Sequence, residues 1–91
     1  IATGLHRPAT GDEIRIILGP EIAAKYKVVN HDAKTFADHQ LVGTTTGGIP
    51  VYVDKRFIAA DLHLTLGFIE QHLMLGFSGC RKLIAPGLAA Q

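Results

Sequence analysis

Apolar positions Ile14, Ile17 and Leu18 recur at three- and four-residue spacing behind Thr10 and Asp12, either of which can cap a helix that carries Glu13 in its first turn. Gly19-Pro20 interrupts that helix. Pro20 suits the first turn of a second short helix through Ile22, Ala23, Ala24 and Tyr26, where its missing N–H would have had no partner. Lys27-Val28-Val29-Asn30 predicts a short strand, and residues 31–40 a polar connector. The β-branched runs Leu41-Val42-Gly43-Thr44-Thr45-Thr46 and Ile49-Pro50-Val51-Tyr52-Val53 flank Gly47-Gly48, the signature of an antiparallel hairpin. Phe57-Ile58-Ala59-Ala60 suits a short helix. Asp61-Leu62-His63-Leu64-Thr65-Leu66-Gly67 alternates as a strand and delivers the chain to a glycine-rich loop, after which a last helix begins near Ser78.

Short helices interleaved with strands predict an α/β or α+β layer structure, with a mixed sheet because one hairpin interrupts the helix-crossover pattern. No internal repeat, low-complexity tract or linker divides the chain, so residues 1–91 read as a single partial α/β domain. The chain opens on Ile1-Ala2-Thr3-Gly4, which reads as a strand end entering a turn and predicts an internal piece of a longer protein.

Composition narrows the function classes. A chain of 91 residues, 47% apolar, buries only about 60–65% of its unfolded surface, so its core is small. Nine Lys and Arg against eight acids leave a net charge of +1 with no basic stripe, which argues against nucleic acid as a partner. The single cysteine, Cys80, excludes an internal disulfide framework and any CxxC motif and favours a reducing compartment, with cytoplasm the default. No run approaches the roughly 18–20 apolar residues of a membrane helix, and no signal-peptide pattern is present.

The chemistry concentrates in Gly67-Phe68-Ile69-Glu70-Gln71-His72-Leu73-Met74-Leu75-Gly76-Phe77-Ser78-Gly79-Cys80-Arg81-Lys82, which places an imidazole and a primary amine in one loop between a predicted strand and a predicted helix. Five histidines invite a metal hypothesis, yet none pair at a zinc-motif spacing. His39 and His63 read as surface or hydrogen-bonded imidazoles. His31 stands beside Asp32, a carboxylate able to orient it, in an Asn-His-Asp turn that also forms for local hydrogen-bonding reasons. His6, between flexible Gly4 and rigid Pro8, and His72, between the strand and Gly76, are acid–base candidates. Lys82 is either a solvated first-turn lysine or one retained against the helix dipole for a phosphate, a carboxylate or a covalent adduct. Cys80 beside Arg81 is a candidate nucleophile that lacks a demonstrated base. Thr44-Thr45-Thr46-Gly47-Gly48 lacks the Gly-Lys-Ser/Thr of a P-loop and reads as hairpin chemistry.

Four blocks, Thr3-Gly4-Leu5-His6-Arg7-Pro8, Val29-Asn30-His31-Asp32, Gly43-Thr44-Thr45 through Gly48-Ile49-Pro50-Val51, and Gly67-Phe68-Ile69-Glu70 through Lys82, together resemble the nickel-dependent lactate racemase family over nearly the whole chain. The most specific part is the ten-residue separation of His72 and Lys82. The resemblance implies part of the N-terminal domain of a two-domain racemase or epimerase of a small 2-hydroxy acid. It implies a nickel-pincer nucleotide, a pyridinium mononucleotide loaded by cofactor-maturation enzymes, as hydride acceptor. Lys82 matches the family's covalent tether, and His6 and His72 its two alternating bases. Ser78, Gly79 and Arg81 are cofactor-binding candidates beside the tether. The family's nickel-ligating histidine corresponds to a position beyond Gln91, so these residues alone are expected to be inactive. Two positions depart from the family's pattern, Cys80 where glycine is more common and Gln71 where proline is. A non-catalytic small-molecule or nucleotide-binding module of the same fold is the alternative reading.

Overall fold

The computed structural model describes residues 1–74 and 76–91, so Leu75 of the glycine-rich stretch lies outside the described residues. Helix α1, Gly11–Leu18, begins in a reciprocal cap: the Thr10 hydroxyl accepts from the Glu13 N–H at 3.3 Å, and the Glu13 carboxylate accepts from the Thr10 N–H at 2.8 Å. Gly19, at φ +83°, ends α1 and turns directly into α2, Pro20–Lys25, with Pro20 at its start. The two helices pack on one another, and neither buries a residue fully.

The hairpin forms as the β-branched runs predict. Strand β1, His39–Thr44, pairs antiparallel with β2, Pro50–Asp54, with a register shift between Leu41 and Gly43. Its turn is closed by Gly48 N–H donating to Thr45 C=O at 2.9 Å, and Gly48 takes φ +82°, a left-handed value that glycine adopts at little cost. The chain's last residues add to the other edge of β2 through Asp54 N–H to Leu88 C=O (2.9 Å) and Ala90 N–H to Tyr52 C=O (3.0 Å). Asp54 then caps α3, Lys55–Ile58, by accepting from the Arg56 N–H at 2.8 Å. Its carboxylate also pairs with the Arg56 guanidinium, whose hydrogen bonds hold it below the usual carboxylate range.

Around β2 lies a small core in which Ala33, Val53 and Gly87 are buried together with Thr3, His31, His39 and Asp54. Buried polar groups cost free energy unless hydrogen-bonded. Among the described residues none of these side-chain polar atoms lacks a partner.

The expected α/β architecture of short helices with sheet holds, and in place of one mixed sheet the described residues form two separate antiparallel pairs. Three expected elements differ. Residues 27–30 are extended but gain only two rungs, Ile1 N–H to Val29 C=O (2.6 Å) and His31 N–H to Ile1 C=O (3.0 Å), too few for a strand. Residues 61–67 form no strand: Leu62, Leu64 and Leu66 alternate as a strand would but are 76%, 79% and 91% exposed, and among the described residues no second strand meets them. Alternation records which side chains a core would take, while a strand also needs backbone partners. The helix expected near Ser78 is a tight turn over Cys80–Leu83.

That turn gives the departure at position 80 a physical meaning. Cys80 sits at φ +48°, a left-handed conformation disfavoured for a residue with a Cβ. Cys80→Gly is therefore expected to raise stability by up to about 1 kcal/mol, net of glycine's extra freedom in the unfolded chain. Denaturant midpoints of the two proteins check this, and a midpoint that falls would contradict it.

Candidate functional site

His6 stands in a turn closed by its own N–H donating to Thr3 C=O at 3.0 Å, with Gly4 at φ +55°. The residues Leu5, His6, Arg7 and Pro8 are all exposed, so backbone ties rather than packing place the imidazole. Thr3 anchors the start of the loop, its hydroxyl donating to His31 C=O at 2.7 Å. Asn30 anchors the end, accepting from the Ala9 N–H at 3.1 Å and donating to the Ala9 C=O at 2.9 Å. The next residue is restrained locally: the Arg7 guanidinium forks onto both Glu13 oxygens at 2.8 and 2.6 Å.

Glu13 thus holds Arg7 and Thr10 at once. The Arg7 hydrogen bonds, then those from Thr10, pull its pKa from 4.5 to about 2. A carboxyl whose folded pKa lies below its unfolded value stabilises the fold fully above the unfolded pKa, and that contribution disappears as pH falls through the folded one. The stability difference between wild type and Glu13→Gln is therefore expected to be largest above about pH 5 and to shrink as pH falls from 4.5 toward 2. Urea midpoints at several pH values read this out, and a pH-independent difference would contradict it.

His72 lies in β3, Gln71–His72, which pairs with β4, Gly76–Phe77. Its Nδ1 accepts from the Met74 N–H at 3.2 Å, which places the neutral ring's hydrogen on Nε2. Ser78 ties this hairpin to the preceding segment: its N–H donates to Glu70 C=O at 2.8 Å, and its hydroxyl accepts from Glu70 N–H at 3.0 Å. Gly79 follows at φ +77°, pressed so closely on Phe68 that a Cβ would lie 2.3 Å from the Phe68 carbonyl oxygen. Arg81 is exposed and Lys82 half-buried in the turn that follows. Cys80 is exposed, and among the described residues no base meets its thiol.

A backbone junction joins the two ends of the candidate site. Gly87 N–H donates to Lys82 C=O at 2.9 Å, and Gly87 C=O accepts from Gly4 N–H at 3.0 Å, so the Lys82 turn and the His6 turn meet at one residue. The two clefts beside His6 run along Thr3, Ala9, Ile16 and Ile17 on one side and along Asn30, His31, Asp32 and Lys34 on the other. Neither cleft includes His72 or Lys82. Among the described residues no cluster of three His, Cys, Asp or Glu could hold a metal ion, and no helix is long and apolar enough to cross a membrane.

The other histidines take structural places. His31 and His39 are 3% and 5% exposed and face each other, Nε2 to Nε2 at 2.9 Å. His39 Nδ1 lies 3.0 Å from Thr35 C=O and must donate to it, which leaves His39 Nε2 to accept from His31 Nε2–H. Burial first, then His39, pushes the His31 pKa below the usual imidazole range. Asp32 does not orient His31: its carboxylate accepts from Lys34 N–H at 3.0 Å and Thr35 hydroxyl at 2.8 Å, the local-turn alternative. His63 stacks on Phe57 at 4.1 Å. Sequence reasoning passed over Asn30, Glu13 and Gly87 as parts of the site. Of these Glu13 carried a signal, the Thr10-x-x-Glu13 capping-box spacing, and Asn30 stood in one of the four blocks of the resemblance without a role.

A family profile described as lactate racemase N-terminal domain matches residues 1–91. The chain is 39% identical over 90 residues to a lactate racemase of Thermoanaerobacterium thermosaccharolyticum and 36% identical over 90 residues to one of Lactiplantibacillus plantarum, covering 99% of this chain in each case. It spans 21% of the length of each. A solved structure of the lactate racemase apoprotein from Thermoanaerobacterium thermosaccharolyticum superposes with a TM-score of 0.92 at 39% identity, covering 99% of this chain and 22% of that one.

Proposed function

This chain belongs to the lactate racemase N-terminal domain family, and from that premise we propose that the protein carrying it racemises or epimerises a small, lactate-like 2-hydroxy acid. The observation that carries the reading is the family match along all 91 residues.

Inversion at a carbinol carbon needs proton acceptors on opposite sides of a planar 2-oxo species, and two imidazoles suit that task because their ordinary pKa lies near neutrality. His6 offers an exposed ring on a loop fixed at both ends. His72 carries its lone pair on Nδ1, so as a base it would exchange the Met74 N–H for the substrate proton at that atom, and the imidazolium so formed returns it. In the proposed cycle one imidazole takes the substrate hydroxyl proton, and the other serves the same role for the opposite enantiomer. When bound, a nickel-pincer nucleotide supplies the hydride acceptor that no side chain provides. The residues present fit its tether and its anionic groups: Lys82 offers a primary amine able to form an amide, and exposed Arg81 lies beside it, with Ser78 and Gly79 shaping the approach. The chain spans 21% of the length of its relatives, so on its own it is expected to be inactive. The proposed partners are the 2-hydroxy acid and cofactor-maturation enzymes, in the cytoplasm.

The test is the mass and nickel content of full-length protein co-expressed with the maturation enzymes, with peptide mapping across residues 76–85. An adduct on Lys82, absent in Lys82→Ala, supports the reading. A bare Lys82 without nickel overturns it in favour of a non-catalytic binding module.

A further inference from the structure

An exposed base is only as well placed as the backbone beneath it, and the His6 loop has few ties to the rest of the fold. At its start the Thr3 hydroxyl donates to His31 C=O and Gly4 N–H donates to Gly87 C=O. The Arg7–Glu13 fork joins residues only six apart and so closes the loop onto its own helix rather than onto the core. That helix offers little purchase, since neither α1 nor α2 buries a residue. A cleft separates residues 5–8 from His31, Asp32 and Lys34. What fastens the far end of the loop is Asn30, 21 residues away, through its two bonds to Ala9.

The geometry selects asparagine. A carboxamide presents one acceptor and one donor in a plane, the complement of a peptide's N–H and C=O. Aspartate would keep the bond from Ala9 N–H but set an acceptor against Ala9 C=O, and alanine would lose both. Asn30 is itself held, because Ile1 makes a rung to the residue on either side of it and the ring of His31 is locked against His39.

We propose that Asn30 is the positioning residue for His6, holding the loop at Ala9 so that the imidazole meets the substrate hydroxyl. This inference rests on the reading of His6 as a base. A misplacement of about 1 Å can cost about a hundredfold in rate without touching ground-state binding.

The experiment uses full-length, cofactor-loaded protein. Asn30→Ala is expected to lower kcat by about 10- to 100-fold with KM and Lys82 adduct occupancy unchanged, and Asn30→Asp by an intermediate factor. In a His6→Ala background Asn30→Ala should cost less than about twofold, because a residue acting through His6 has nothing left to position. If wild type is active but Asn30→Ala stays within about twofold of it, the positioning role fails and the functional reading stands. An equal loss with and without His6 also overturns it, as does a fall in adduct occupancy that accounts for the lost rate. If Asn30→Ala does not fold, Asn30→Asp, which keeps one of the two bonds, decides by the same comparisons. A His6→Ala protein as active as wild type refutes the base assignment instead.

Discussion

Replacing either His6 or His72 with alanine is expected to lower the turnover of full-length, cofactor-loaded protein by about 10²–10⁴-fold, the usual contribution of a positioned general base. The adduct on Lys82 should persist in both variants, since neither ring is needed to form a bond at that amine. Because two enantiomers in achiral solvent have equal free energies, kcat/KM must fall by the same factor in both directions, even though a different ring is missing in each variant. Racemisation followed from either enantiomer provides the check, and turnover within about threefold of wild type would remove that histidine from the mechanism. The structure adds an asymmetry between the two. His6 sits on an exposed loop fixed through Thr3 and Asn30, whereas His72 has Nδ1 on Met74 N–H within a hairpin of two-residue strands. Loss of the His6 ring therefore leaves its loop tied, and His6→Ala should fold like wild type.

The second large effect belongs to Gly87. A Cβ there would lie 2.4 Å from Leu83 C=O oxygen and 2.8 Å from that of Lys82, contacts that only backbone movement could relieve. Gly87→Ala is expected to cost about 2–3 kcal/mol, at the upper end of overpacking penalties. Its damage should be specific as well as large, because the residue displaced is bonded through its N–H to Lys82 and through its C=O to Gly4. Gly11→Ala is the matched control: a Cβ at Gly11 meets nothing within 4 Å, and alanine is the better helix former. Urea unfolding of both variants tests this, and equal midpoints for the two would contradict the clash.

Helices α1 and α2 and the hairpin were legible because each rests on local chemistry: the Thr10 cap, Gly19-Pro20, Gly47-Gly48, and the apolar spacing of residues 14–18, while the helix expected over residues 57–60 begins two residues earlier, where Asp54 caps it. The strand expected over 61–67 failed because pairing is non-local, and the same alternation that suggested it leaves Leu66 and its neighbours exposed among the described residues. For the candidate site, His6, His72 and Lys82 were legible as reactive types in glycine-rich turns. What joins them was not. Gly87 reads as one glycine among ten, and Asn30 as part of a strand end, because their roles are hydrogen bonds to residues 5 to 83 positions away in sequence. Backbone acceptors carry no sequence signature.

The paired imidazoles of His31 and His39 have a consequence for how this protein can change over evolutionary time. One shared hydrogen satisfies both facing nitrogens, so a mutation that removes either ring strands the other's Nε2 in a buried position. Lineages are expected to cross from one state to the other by two linked changes, keeping both histidines or neither, and single replacements should be rare intermediates. The two columns should then covary across relatives although neither ring is assigned a chemical step.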